Sequence, residues 1–161
     1  MLDLARAMCP ADPGRPLHAA LRRCISTAYY AAFHALSDEI ARPYQADVRP
    51  QAARLLAHSQ AREVAEVLQS GNPLRWVVGQ PACHSSLRTF GEDFVRLQLA
   101  RERADYDRLY RPTKNDALIA IDRAERAIGN LATARAQCVD QLQATSIAML
   151  AGSRLRKRLI H

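Results

Sequence analysis

The sequence is short of the residues that loosen or staple a small fold. Among 161 residues there are only 6 glycines and 4 cysteines, aromatic side chains make up 6%, and no apolar run approaches the length that crosses a bilayer. Little glycine, with arginine and alanine abundant along most of the chain, excludes a disordered or β-rich protein and predicts helices. Cys9, Cys24, Cys83 and Cys138 stand far apart without paired ligand spacing, so neither a zinc site nor a disulfide framework is indicated. Free thiols in a reducing compartment are expected. His58, His84 and His161 show no metal spacing either, and His18 is expected to be exposed near a helix start. No metal and no cofactor is therefore expected. The amino-terminal segment lacks the basic-then-apolar order of a signal peptide, having Asp3 early, which predicts a cytoplasmic protein without membrane insertion.

What is present suits one domain. The chain is long enough to bury a core unaided, and 48% of it is hydrophobic. A single domain over 1–161 is expected, with its core at about 16–150 and a basic tail at 153–161. The net charge of +7 is unevenly spread. Arg154, Arg156, Lys157 and Arg158 carry four of the seven charges, so residues 1–150 hold 19 basic against 16 acidic groups. Such a tail either solubilises the protein or attracts an anionic partner such as RNA, DNA or a membrane surface.

Punctuation divides the chain into helices. Leu2 to Met8 is a short helical piece, stopped by Pro10 and the turn-forming Asp12-Pro13-Gly14. A long second helix is predicted from Pro16 to about Ile40, before Arg42-Pro43. Pro50 opens a predicted third helix, with Ala53, Leu56, Ala57, Val64 and Leu68 at helical steps, running to Gln69. A loop containing Trp76 follows, and a fourth helix spans roughly Cys83 to Asp105. Thr113 caps a fifth helix, beginning near Lys114, with Asp116 in its first turn. Asp140 followed by Gln143 resembles a capping box that restarts a short last helix. The expected fold is all-α, an antiparallel up-and-down bundle of four main helices with short additional terminal helices.

Two of these helices carry polar residues where apolar ones are expected. At 100° per residue, Phe90, Phe94, Leu97, Arg101 and Ala104 share one face of the fourth helix with Asp105 beside them. On the second helix, Arg22, Ser26, Tyr29 and Phe33 form one ridge, Arg23, Tyr30 and His34 another, and Cys24, Ala28, Ala31, Ala32 and Ala35 a small-residue face. An inward Arg101 can pair with Asp105 four residues on and still donate to a tyrosine, serine or carbonyl of the second helix. Such a network serves to fix helix register, whether or not it adds stability.

The run Arg22 to His34, reading RRCISTAYYAAFH, and the later RERADYD from Arg101 to Asp107 together resemble the HEPN superfamily of small bacterial helical proteins, over about residues 16–135. The resemblance implies an antiparallel four-helix bundle, often dimeric. It also implies a range of activities: metal-independent ribonucleases with an R-x4-6-H motif, some of them toxins of toxin–antitoxin pairs, and other members that bind nucleotides or act as non-catalytic partners.

This chain departs from the enzyme pattern. After four intervening residues Arg101 is followed by Tyr106, and the longer spacings reach Asp107 and Arg108, none of them histidine. A tyrosine, with an ordinary pKa of about 10, is a poor base near neutral pH. The first expectation is a protein that binds RNA or nucleotide without efficient cleavage, with Arg101, Arg103 and Arg108 toward phosphate and Tyr106 stacking on a base. The second is a non-catalytic interaction protein, acting with itself or with a separately encoded partner. The third is a metal-independent ribonuclease in which His34 replaces the missing imidazole. The resemblance further implies a homodimer built partly from the second and fourth helices, bringing two RERADYD segments towards a shared cleft.

Overall fold

The computed structural model describes residues 1–9, 18–71, 82–153 and Arg156. The predicted helix start at Pro16, the Asp12-Pro13-Gly14 turn and the Trp76 loop lie outside the described residues, as do Arg154, Lys157 and Arg158. Among the described residues the chain forms seven α-helices and no strand: α1 (Leu2–Met8), α2 (His18–Ala41), α3 (Arg49–Ala53), α4 (His58–Gln69), α5 (Ser85–Tyr106), α6 (Lys114–Gln137) and α7 (Val139–Leu150). None is long and apolar enough to cross a membrane.

Small residues let these helices approach closely. The buried face of α6 is largely alanine, at Ala117, Ala120, Ala124, Ala127 and Ala134, and it meets α2, whose Cys24, Ala28 and Ala32 are equally buried. Large side chains fill the centre between α2, α4 and α5, where Tyr29, Phe90, Phe94, Leu36, Leu68 and Leu97 are almost wholly enclosed. Removing these surfaces from water supplies the main stabilisation, at about 25 cal/mol per Å² of apolar area. Gly91 on α5 lies against the backbone of α4 at Ala65 and Gln69, closer than a Cβ allows.

Two predicted features take a different form. The single helix expected from Pro50 to Gln69 is two helices, because Ala57 is extended (φ −95°, ψ 145°) and donates its N–H to the Gln60 side chain at the start of α4. The apolar period runs through this break, since Leu56, Val64 and Leu68 are all buried, so spacing alone did not reveal it. The last helix begins at Cys138 without a side-chain cap, so the capping box expected at Asp140 does not form; Asp140 instead lies in the first turn, where its charge suits the helix dipole. The expected cap on α6 does form, with Asp116 N–H donating to the Thr113 hydroxyl and the Asp116 carboxylate accepting from the Thr113 N–H.

Candidate functional site

The stripe Phe90, Phe94, Leu97 on α5 is buried, and one turn further along the same face stands Arg101, at its rim. Its side chain is 19% exposed and that of Asp105 is 30% exposed, so the pair is half-buried rather than fully inward. Arg101 Nε lies 2.8 Å from Asp105 Oδ2, yet its N–H is not aligned on any acceptor, so the contact is mainly charge on charge. Arg101 Nη2 donates to the Tyr30 hydroxyl at 2.9 Å, and the Ser26 hydroxyl donates to Asp105 at 2.5 Å. The guanidinium also lies over two rings, 5.5 Å from the centre of Tyr30 and 5.2 Å from that of Tyr106. Arginine therefore occupies a core-stripe position because α2 supplies a hydroxyl and a ring for it. Arg101→Ala is expected to cost about 1–2 kcal/mol in urea denaturation, below the roughly 3–5 kcal/mol of a stranded buried charge, because water reaches Asp105.

A neighbouring arginine, placed on the Ser26 ridge by the sequence but given no role there, holds the end of α5. Arg22 on α2 donates to the carbonyls of Ala104 (2.7 Å), Asp107 (2.6 Å) and Tyr110. These include orphan acceptors that a helix end leaves without intrahelical partners. Asp107 tightens the same turn by accepting from the N–H groups of Leu109 and Tyr110. The RRCISTAYY and RERADYD stretches thus meet through Arg22, Ser26 and Tyr30 on one side and Arg101, Asp105 and Asp107 on the other. The place of Arg22 one turn before Ser26, on the same ridge, is the sequence signal for its role.

Beyond Arg101 a cleft of about 470 Å³ opens between α4 and α5, lined among others by Tyr29, His58, Ser59, Arg62, Gln98 and Tyr106. The imidazole in this cleft is His58, not the expected His34. His58 Nδ1 is 2.6 Å from the Tyr29 hydroxyl, and its ring stacks on Phe33 at 4.0 Å between centroids. His34 is exposed on α2, its ring 6.4 Å from that of Tyr30 and 6.1 Å from that of Phe33, and makes no hydrogen bond to Arg101. His58 was concealed by its position, at the start of a helix hidden inside a longer apolar period. Its pKa is lowered by desolvation first, then by the charges of Arg101 and His34, while burial raises that of the Tyr29 phenol. A lowered histidine pKa contributes stability that is complete above the unfolded value of about 6.5 and is lost as pH falls through the folded value. The melting temperature is accordingly expected to decline with acidification below pH of about 6.5, and His58→Gln to flatten that decline in a pH series of thermal melts.

The charges of the cleft are largely paired. Arg62 bridges Glu66 and Glu102, and Glu63 accepts from Arg156. Arg156 is 7% exposed and also donates to the Ala151 carbonyl, so this member of the basic tail is a buried tether and not a free surface charge. Exposed basic groups gather outside the cleft, at the carboxyl end of α5. Arg103 lies over the Tyr110 ring at 4.4 Å and stands 4.0 Å from Asp107, Arg23 and Arg108 are exposed, and Tyr106 is 70% exposed. Among the described residues no three of His, Cys, Asp and Glu gather as a metal ion would require. Comparisons with known protein families, with curated proteins and with solved structures find no match to this chain.

Proposed function

We propose that the chain is a HEPN-like antiparallel four-helix bundle, with α2, α4, α5 and α6 as its main helices, that binds single-stranded RNA at the carboxyl end of α5 without cleaving it efficiently. The observation that carries this reading is Tyr106, 70% exposed, with its ring braced by the Arg101 guanidinium. A base stacks on such a ring, and the arginine beneath it limits the ordering cost. Residues 101–111 hold four arginines against three acids, and Arg22 and Arg23 add two more positive charges from α2. Of these, Arg23, Arg103 and Arg108 are exposed and suited to phosphate. Against efficient catalysis stands the placing of the imidazoles: among the described residues none hydrogen-bonds Arg101, and His58, which lines the same cleft, is held 2.6 Å from the Tyr29 hydroxyl.

The test uses labelled single-stranded RNA with chelator present. Wild type is expected to bind with an affinity that falls steeply with salt and to produce no cleavage. Tyr106→Ala is expected to lose about 1–3 kcal/mol of binding, the worth of one stacked base. Cleavage by wild type that disappears in Arg101→Ala and in either His34→Ala or His58→Ala would restore the ribonuclease reading.

A second reading, an interaction protein of the toxin–antitoxin kind or a homodimer through α2 and α5, is favoured by Leu109, 86% exposed near Tyr106. Light scattering of wild type and Leu109→Glu separates the two. A dimer that dissociates in the variant while RNA binding persists assigns Leu109 to assembly and Tyr106 to the ligand.

A further inference from the structure

On the side of the molecule formed by the end of α2 and by α7 lies a second groove, of about 540 Å³, that shares no lining residue with the cleft beside Arg101. This volume falls within the usual range of small-molecule sites. Its walls are mainly apolar, with Ile40, Tyr44, Leu142, Ile147 and Leu150 among them. Tyr44 is 43% and Ile147 52% exposed, so apolar surface faces water at its mouth.

Among the described residues three charged groups line this groove, Glu39, Arg42 and Arg135. Glu39 is 8% exposed, and a single oxygen, Oε2, accepts from both Arg135 Nη1 at 2.7 Å and Arg42 Nε at 3.2 Å. Within the groove's lining one carboxylate faces two guanidinium groups, and a further acid, Asp38, shares the adjoining depression with Arg42. This arrangement leaves both terminal nitrogens of Arg42 and the second terminal nitrogen of Arg135 without a protein acceptor among the described residues. Among the described residues the other deeply buried carboxylate, Asp93, has the opposite balance, since its partner Arg126 is shared with a second acid, Asp122. Unused guanidinium donors beside an apolar trough select a ligand with an anionic head and an apolar body.

We propose that this groove binds an amphipathic monocarboxylate, its head on Arg42 and Arg135 and its aliphatic or aryl body along Ile40, Leu142 and Ile147. Such a ligand would join the end of α2 to α7. A fatty acid and a detergent-like aryl acid share the chemistry, and a neutral or cationic amphiphile does not.

The experiment titrates the full chain with decanoate, below its micelle threshold, and follows amide shifts by NMR, with decanol and decylamine as comparison ligands. Saturable decanoate binding centred on α7 and the end of α2 is expected, with decanol and decylamine about tenfold weaker, the factor for losing a charged hydrogen bond. Ile147→Glu places an acid in the trough at an exposed position, so it should abolish binding while preserving the thermal melt. Arg42→Gln, which leaves Glu39 its stronger partner Arg135, should weaken decanoate about tenfold and leave decanol unchanged. Equal affinity for decanol, tighter binding of decylamine, or decanoate binding undiminished by both variants overturns the assignment. Self-association that Ile147→Glu breaks, with no saturable decanoate shift, also overturns it and gives the groove to a second copy of the chain.

Discussion

Gly91→Ala is expected to destabilise the fold by about 3 kcal/mol, the upper end of the range for overpacking a close contact. By helix propensity alone the exchange should help, since glycine inside a helix costs about 1 kcal/mol relative to alanine. Packing reverses the sign. A Cβ at position 91 would stand 2.6 Å from the Ala65 carbonyl oxygen, 2.9 Å from the Gln69 nitrogen and 2.9 Å from the Leu68 Cβ. Two of these neighbours are backbone, which cannot swing aside, so α4 and α5 must separate and the contacts along both helices must loosen. Gly129 on α6 is the internal control, because a Cβ there meets nothing within 4 Å. Gly129→Ala is expected to stabilise by up to about 1 kcal/mol. Urea denaturation of the two variants should move the midpoint in opposite directions, and a neutral Gly91→Ala would contradict the close α4–α5 approach.

Arg126→Ala is expected to cost about 3–5 kcal/mol, the penalty for stranding a buried charge. Asp93 on α5 is 4% exposed, and Arg126 on α6 grips both its oxygens, Nη2 to Oδ1 at 2.6 Å and Nε to Oδ2 at 3.0 Å. Without Arg126 the carboxylate has no cation and little water. Arg126 also touches Asp122, whose side chain is 64% exposed, and that contact is worth only about 0.3–0.5 kcal/mol. Asp122→Ala should therefore be nearly neutral. Urea denaturation of the two variants measures the contrast, and a loss below about 1 kcal/mol for Arg126→Ala would mean that Asp93 finds water or another donor. The comparison with Arg101→Ala is instructive, because that pair has the same chemistry but a wetter carboxylate.

Spacing and punctuation were enough for most of the helices. The observed bounds of α1 and α5, the end of α2 and the start of α6 lie close to those read from proline positions, the Thr113 cap and apolar period, because these are local properties of the chain. The break between α3 and α4 was not legible, since it keeps Leu56 and Val64 in phase while turning Leu55 outward, 66% exposed. What is gained there is non-local, the stacking of His58 on Phe33 and its bond to Tyr29.

The polar site divides the same way. That Arg101 and Asp105 would pair, four residues apart on one helix face, follows from helical geometry, and the pair forms. Which side chains of α2 would complete the site was not decidable from one helix. Ser26 and Tyr30 reach it, His34 does not, and Arg22 serves the end of α5 instead. Arg156 reads as a tail charge in the sequence and is a buried tether because Glu63, 93 residues earlier, lies within reach. Sequence by itself determined the all-helical class, most helix bounds and the i, i+4 pairing, because each depends on residues within a turn or two of one another. Tertiary structure alone decided which imidazole enters the cleft, which arginines remain free and how closely α4 and α5 approach, because burial and partners are set by the relative placement of helices distant in the chain.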